Sequence, residues 1–152
     1  MTWLESALAE LDPTALTVAV LGSHSALEVC RGARAHGFRT LVVAQKGRDR
    51  TYSHHFAVRD GLGCVEETVT VDRFKELLDR PLQDLLRERH AVWVPHRSFE
   101  VYLGSDYDAI ENDFRVPMFG NRFLLRVEER EIHPNQYDLL DAAGIRHPRL
   151  YA

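Results

Sequence analysis

The chain has 152 residues, 45% of them hydrophobic and 28% charged, and carries a formal net charge of −4. Those values describe one soluble globular domain of ordinary size, and the acidic balance argues against a bulk electrostatic footprint for nucleic acid. No apolar run approaches the roughly 20 residues of a membrane span, and residues 1–10 lack the basic stretch of a signal peptide.

Residues 3–11 predict a short amphipathic helix with Leu4, Leu8 and Leu11 on one face, broken at Asp12-Pro13. Residues 16–21 form a continuous apolar strand of the type buried on both faces. Gly22 ends it, Ser23 and Ser25 flank His24, and a helical pattern runs over 26–36 with Gly37 as its stop. A second buried strand covers 39–44, followed by a cationic loop over 45–50. Residues 52–56 fit either a short helix or an extended piece. Gly61 and Gly63 mark a turn, and 64–71 alternate as a third strand. Asp72 is expected to cap a helix through 78, Pro81 to open another reaching about 89, and 91–94 to form a fourth strand.

Short buried strands alternating with helices predict a parallel sheet with right-handed crossovers. Beyond it the pattern changes. Residues 99–104 are mixed, 106–113 acidic, 116–119 a short strand, 123–131 a charged helix, and 134–143 another helix stopped by Gly144. The expected division is a substrate-binding domain over 1–127 and a helical connector over 128–152.

In such a sheet the strand ends face one rim, where ligands bind in open α/β folds. That rim collects Ser23, His24, Ser25, Lys46, Arg48, His96, Arg97 and Ser98. Helix N-termini attract anions through unpaired N–H groups and the macrodipole, and cations and hydroxyls suit a phosphorylated metabolite. A strand followed by an ordinary serine N-cap accounts for the first motif equally well. The glycine pattern of dinucleotide-binding folds and the P-loop lysine are both absent. Adjacent His54 and His55 should point apart, and 106–113 reads as a solvated acidic turn rather than a cation site. Cys30 and Cys64 form no close pair, so both are expected to be buried thiols in a reducing cytoplasm. No catalytic residue and no metal ligand is assigned.

Four ordered segments carry a resemblance: Leu21-Gly22-Ser23-His24-Ser25-Ala26-Leu27, Gln45-Lys46-Gly47-Arg48, Val94-Pro95-His96-Arg97-Ser98-Phe99, and Val116-Pro117-Met118-Phe119-Gly120-Asn121-Arg122. The closing Ala143-Gly144-Ile145-Arg146-His147-Pro148 continues it. Together they resemble the archaeal formate-dependent ATP-grasp ligases that convert an aminoimidazole carboxamide ribonucleotide (AICAR) to its formamido form (FAICAR) in purine (IMP) synthesis. The resemblance implies a Rossmann-like pre-ATP-grasp domain: an open, mainly parallel sheet flanked by helices. It implies that His24 and Ser98 bind the ribonucleotide; by extension Ser23, Ser25 and Arg122 are expected as supporting contacts. ATP and Mg2+ would be held outside this chain, in ATP-grasp domains present in cis or in trans.

The expected partners are AICAR, formate, those domains and further copies of the chain, with no nucleic acid and no membrane. The chain would be a cut piece, a truncated product or one half of a split enzyme, and inactive alone. The alternative is a stand-alone ribonucleotide-binding module or a partner-docking fragment without catalysis.

Overall fold

The structure, a computed structural model, describes residues 2–128, 130 and 132–149. It divides into two compact units, residues 1–120 and 121–152. The sequence reading put the division at 127/128; the units part at Gly120, and the 3-10 helix Arg122–Glu128 falls in the second.

The first unit opens with α1 (Trp3–Ala9), β1 (Thr17–Leu21), α2 (Ala26–Ala35) and β2 (Arg39–Gln45). A π-helical turn at Thr51–His55 precedes β3 (Glu67–Val71). A 3-10 helix at Phe74–Leu78 leads into α3 (Arg80–Glu88), then β4 (Ala91–Trp93), α4 (Ser98–Tyr102) and α5 (Tyr107–Asn112). The four strands form one all-parallel sheet in the order β3-β2-β1-β4. Thr17 sits opposite Arg39 on one side and Ala91 on the other, so β1 is central.

The pleat divides the apolar strands between two cores. Val20, Val42 and Ala44 pack with Ala26 and Cys30 of α2, and with Tyr52, Cys64 and Val65. Ala19, Leu21, Leu41 and Val43 alternate to the opposite face, and all four are fully buried. Each such Val or Leu contributes about 1.5–3 kcal/mol of burial. Coverage is incomplete on the α2 face. A cavity of about 360 Å³ opens there between Val29 and Ala33 of α2, Val18, Val92, Val94 and Phe119.

Several expected elements come out differently. The third strand begins at Glu67, because the N–H groups of Cys64 and Val65 both donate to the Phe56 carbonyl and Val65 bridges to Ala57. Asp72 is not a cap; it faces Lys46 at 3.6 Å, and Glu76 instead accepts the Arg73 N–H. The mixed stretch at 99–104 is largely helical, as α4. The strand expected at 116–119 shrinks to one parallel bridge between Trp93 and Met118. Pro117 has no N–H to donate, so the pairing goes no further.

In the second unit, α6 (Gln136–Ala142) is capped by Asn135, whose side-chain oxygen accepts the N–H groups of Tyr137 and Asp138. The charged helix expected at 123–131 is the 3-10 helix ending at Glu128; Glu129 and Glu131 lie outside the described residues. No helix among the described residues is long and apolar enough to cross a membrane.

Gly22 allows β1 to turn tightly against β2. A Cβ there would lie 2.9 Å from Tyr52 Cε2, 3.1 Å from Ala44 Cα and 3.1 Å from Val42 Cγ1. Gly22→Ala should therefore cost about 1–3 kcal/mol of overpacking strain. A denaturation midpoint unchanged from wild type would refute this close approach.

Candidate functional site

Strand order reverses at β1: the chain moves from β1 to β2 and β3 on one side, then returns to β4 on the other. The crevice beyond β1 and β4 is thus the topological switch point, the favoured ligand position in open α/β sheets. Two loops border it, 22–25 after β1 and 94–97 after β4, the latter leading into Ser98 at the start of α4.

The β1 loop is held by its backbone. Gly22 N–H donates to the Val43 carbonyl at 2.7 Å, and Ser23 N–H donates back to Leu21 O at 2.8 Å. The next residue, His24, has φ +32, inside the left-handed region. A side chain there costs about 1–2 kcal/mol relative to the ordinary region, and strain of this kind concentrates at functional sites. His24 is exposed, and its Nδ1 lies 2.7 Å from Ser25 Oγ. Ser25 occupies the N-cap position of α2, yet its side chain makes no capping bond. The reading of an ordinary serine cap is thus not what the structure shows.

His96 closes the opposite side. Its Nε2 lies 2.8 Å from the Leu21 carbonyl, and its Nδ1 accepts the Ser98 N–H at 3.2 Å. Its ring centroid is 6.4 Å from that of His24, with the planes 31° apart. Burial pushes the His96 imidazole below its ordinary range; the bond to Leu21 opposes this, and the neighbouring His24 reinforces it. The structure therefore brings Ser23, His24, Ser25, His96 and Ser98 to one crevice.

The cations of the rim separate. Lys46 pairs with Asp72 at the β3 end, away from the crevice. Arg48 donates from Nη1 to the Tyr102 hydroxyl at 3.0 Å. Hydrogen bonding from Ser23 and then from Arg48 holds the Tyr102 phenol below its ordinary value, and the Tyr102 ring rests 4.8 Å from that of Phe74. Tyr102 thus links the β1 and β2 loops to α4. Sequence reading passed over it, although Ser98 and Tyr102 are four apart on one helix and share a face. Arg97 is exposed beside them. Arg122 belongs to the second unit, where it is buried and burial lowers its guanidinium to about 10.

The remaining sequence candidates have structural roles or stand apart. Asp106 caps α5 by accepting the Ala109 N–H at 3.1 Å. Contrary to expectation, the rings of His54 and His55 do not diverge: the π-helical turn brings them edge to face at 5.2 Å. Cys30 and Cys64 are free and buried, and burial pushes the Cys30 thiol up to about 12. Among the described residues, no group of three or more His, Cys, Asp or Glu is arranged to hold a metal ion.

In a phenol titration followed by ultraviolet absorbance, Tyr102 should ionise ahead of Tyr52, whose phenol burial pushes up. Ser23→Ala and Arg48→Ala should each move that transition upward. An early transition that ignores both changes, or none at all, would break the proposed link between the loops.

Comparison with known proteins agrees with this architecture. The chain is 43% identical over 145 residues to the 5-formaminoimidazole-4-carboxamide-1-(beta)-D-ribofuranosyl 5'-monophosphate synthetase of Methanopyrus kandleri, covering 95% of this chain and 37% of that protein. It is 45% identical over 137 residues to the synthetase of the same name from Methanothermobacter thermautotrophicus, covering 90% of this chain and 34% of the relative. The chain thus spans about a third of the length of these curated relatives. Among solved structures, an IMP biosynthesis protein PurP from Thermococcus kodakaraensis superimposes with a TM-score of 0.64 at 29% identity, covering 89% of this chain and 39% of that one. The chain belongs to the family described as protein of unknown function (DUF1246), which it matches over residues 18–151.

Proposed function

We propose that this chain is the ribonucleotide-binding part of an ATP- and formate-dependent ligase that converts AICAR to FAICAR in purine synthesis, working in the cytoplasm. The observation that carries this reading is the convergence of His24 and Ser98 at the switch-point crevice. They lie 74 positions apart in sequence, and His96 bridges the two loops that hold them.

In this reading the crevice holds the amine-bearing nucleotide still while formate, activated elsewhere in the ligase, is brought to it. That is catalysis by positioning, which lowers the barrier through orientation rather than through an acid, base or nucleophile of this chain. The exposed His24 ring and the Ser98 hydroxyl supply directional contacts. Ser23 and Ser25 support them, and the α2 N-terminus with Arg48 favours the phosphate charge. The step that needs ATP and magnesium is assigned to the remainder of the ligase.

The surface supports a larger assembly. Phe119 is 70% exposed beside the open cavity of the first unit, and in the second unit Phe123 and Leu124 are also exposed. Parallel sheets are normally covered on both faces, so an open apolar slot on the α2 face is a seat for further protein.

Calorimetric titration with AICAR, with IMP and ATP as comparators, tests the reading directly. Saturable binding of AICAR but not ATP is expected. Absence of binding by the chain, even after the ATP-grasp part is added in trans, would overturn it. His24→Gly should weaken AICAR binding several-fold while the melting temperature holds or rises, because glycine relaxes the left-handed turn. Equal AICAR affinity in this variant would remove His24 from the site. The chain alone should show no ATP-dependent formylation, and ATP-grasp domains added in trans should supply it; turnover by the isolated chain would contradict the division of labour.

A further inference from the structure

We propose that His96 is the positioning residue of this site: a neutral imidazole, protonated on Nε2, that sets the β1 loop carrying His24 against the β4 loop carrying Ser98. The inference rests on the reading of His24 and Ser98 as nucleotide contacts.

Both ring nitrogens are committed to backbone. A carbonyl oxygen only accepts, so the 2.8 Å contact to Leu21 O places the proton on Nε2. Nδ1 is then the acceptor for the Ser98 N–H at 3.2 Å. Neither nitrogen is left over for a substrate, so His96 acts through its neighbours.

The two anchors are well chosen. Leu21 is the last residue of β1, and its carbonyl also receives the Ser23 N–H, so the imidazole is tied to the turn that holds His24. Ser98 is the first residue of α4, so the same ring fixes where that helix and its hydroxyl begin. The sheet ladder runs only as far as Val94 N–H on Ala19 O, at 2.8 Å. Beyond that point the imidazole continues the connection between the loops.

A charged ring would fail at this task. Protonated Nδ1 would meet the Ser98 N–H donor to donor. The cation would also sit half-buried, with the titratable His24 ring 6.4 Å away on the β1 side and exposed Arg97 next to it in sequence. Neutral imidazole is the form that satisfies every contact.

Asparagine and glutamine divide the bridge between them. His96→Asn places an amide oxygen near the Nδ1 position and keeps the Ser98 half. His96→Gln places an amide N–H near the Nε2 position and keeps the Leu21 half. Histidine 15N spectra of the ligand-free chain should show the Nε2-protonated tautomer at neutral pH. The Ser98 amide resonance should stay near its wild-type position in His96→Asn and move in His96→Gln.

Removing the bridge with His96→Ala should weaken AICAR binding about tenfold, the scale of one lost hydrogen bond. Either amide variant should recover part of the loss. In a double-mutant cycle with Ser98→Ala the two losses should be non-additive, as for residues that act through one another.

An Nδ1-protonated or charged ring at neutral pH would overturn the proposal. So would additive losses, or a Ser98 amide that responds identically to both amide variants. If wild type binds no AICAR under any condition, the nucleotide reading is what fails. The ligand-free spectra still decide whether His96 forms the bridge.

Discussion

The Leu21 carbonyl is the point at which sheet becomes site. β1 is flanked on both sides by parallel partners, and Ala19, Val20 and Leu21 are fully buried. At Leu21 the chain must leave the sheet, and a buried carbonyl there needs partners. It takes two: the Ser23 N–H from its own turn and the His96 imidazole from the loop after β4. The first bond closes the turn that leads into His24, which lies in the left-handed region. The second brings in the loop that carries Ser98. Together with the Tyr102 hydroxyl, they tie the two loop ends into one crevice.

Charge is arranged to match. The crevice itself holds imidazoles, hydroxyls and helix N–H groups, with Arg48 at its edge through Tyr102. Lys46 is drawn off to Asp72. The result is a polar seat bordered by Arg48 and the exposed Arg97. The opposite character prevails on the α2 face of the sheet, where Val18, Val92, Val94 and Phe119 border an open slot. A chain spanning about a third of the length of its relatives presents both surfaces at once, one polar and one apolar.

The strands were legible because burial on both faces writes itself as unbroken apolar runs. Residues 16–21 and 39–44 contain β1 and most of β2 for that reason. Elements governed by contacts remote in sequence were harder to read. Cys64 and Val65 alternate like a strand, but the Phe56 carbonyl takes both of their N–H groups. The 116–119 segment has strand-like residues, and Pro117 limits it to one bridge. Tyr102 was invisible as a site residue, since nothing local announces that its hydroxyl will reach Arg48, 54 positions away.

By itself the sequence determined the class of fold and the contents of the rim. Hydrophobic periodicity sets the alternation of strand and helix, and a parallel sheet must deliver its strand ends to one side. It also placed Gly22, Ser23, His24 and Ser25 together, because they are neighbours in the chain. Only the tertiary structure decided which rim residues meet. Hydrogen-bond and ion-pair geometry over long sequence separations chose His96 for Leu21, Tyr102 for Arg48 and Asp72 for Lys46. Such pairings depend on ångström-scale distances and on the orientation of donors toward acceptors, and neither is encoded in the spacing of residue types along the chain.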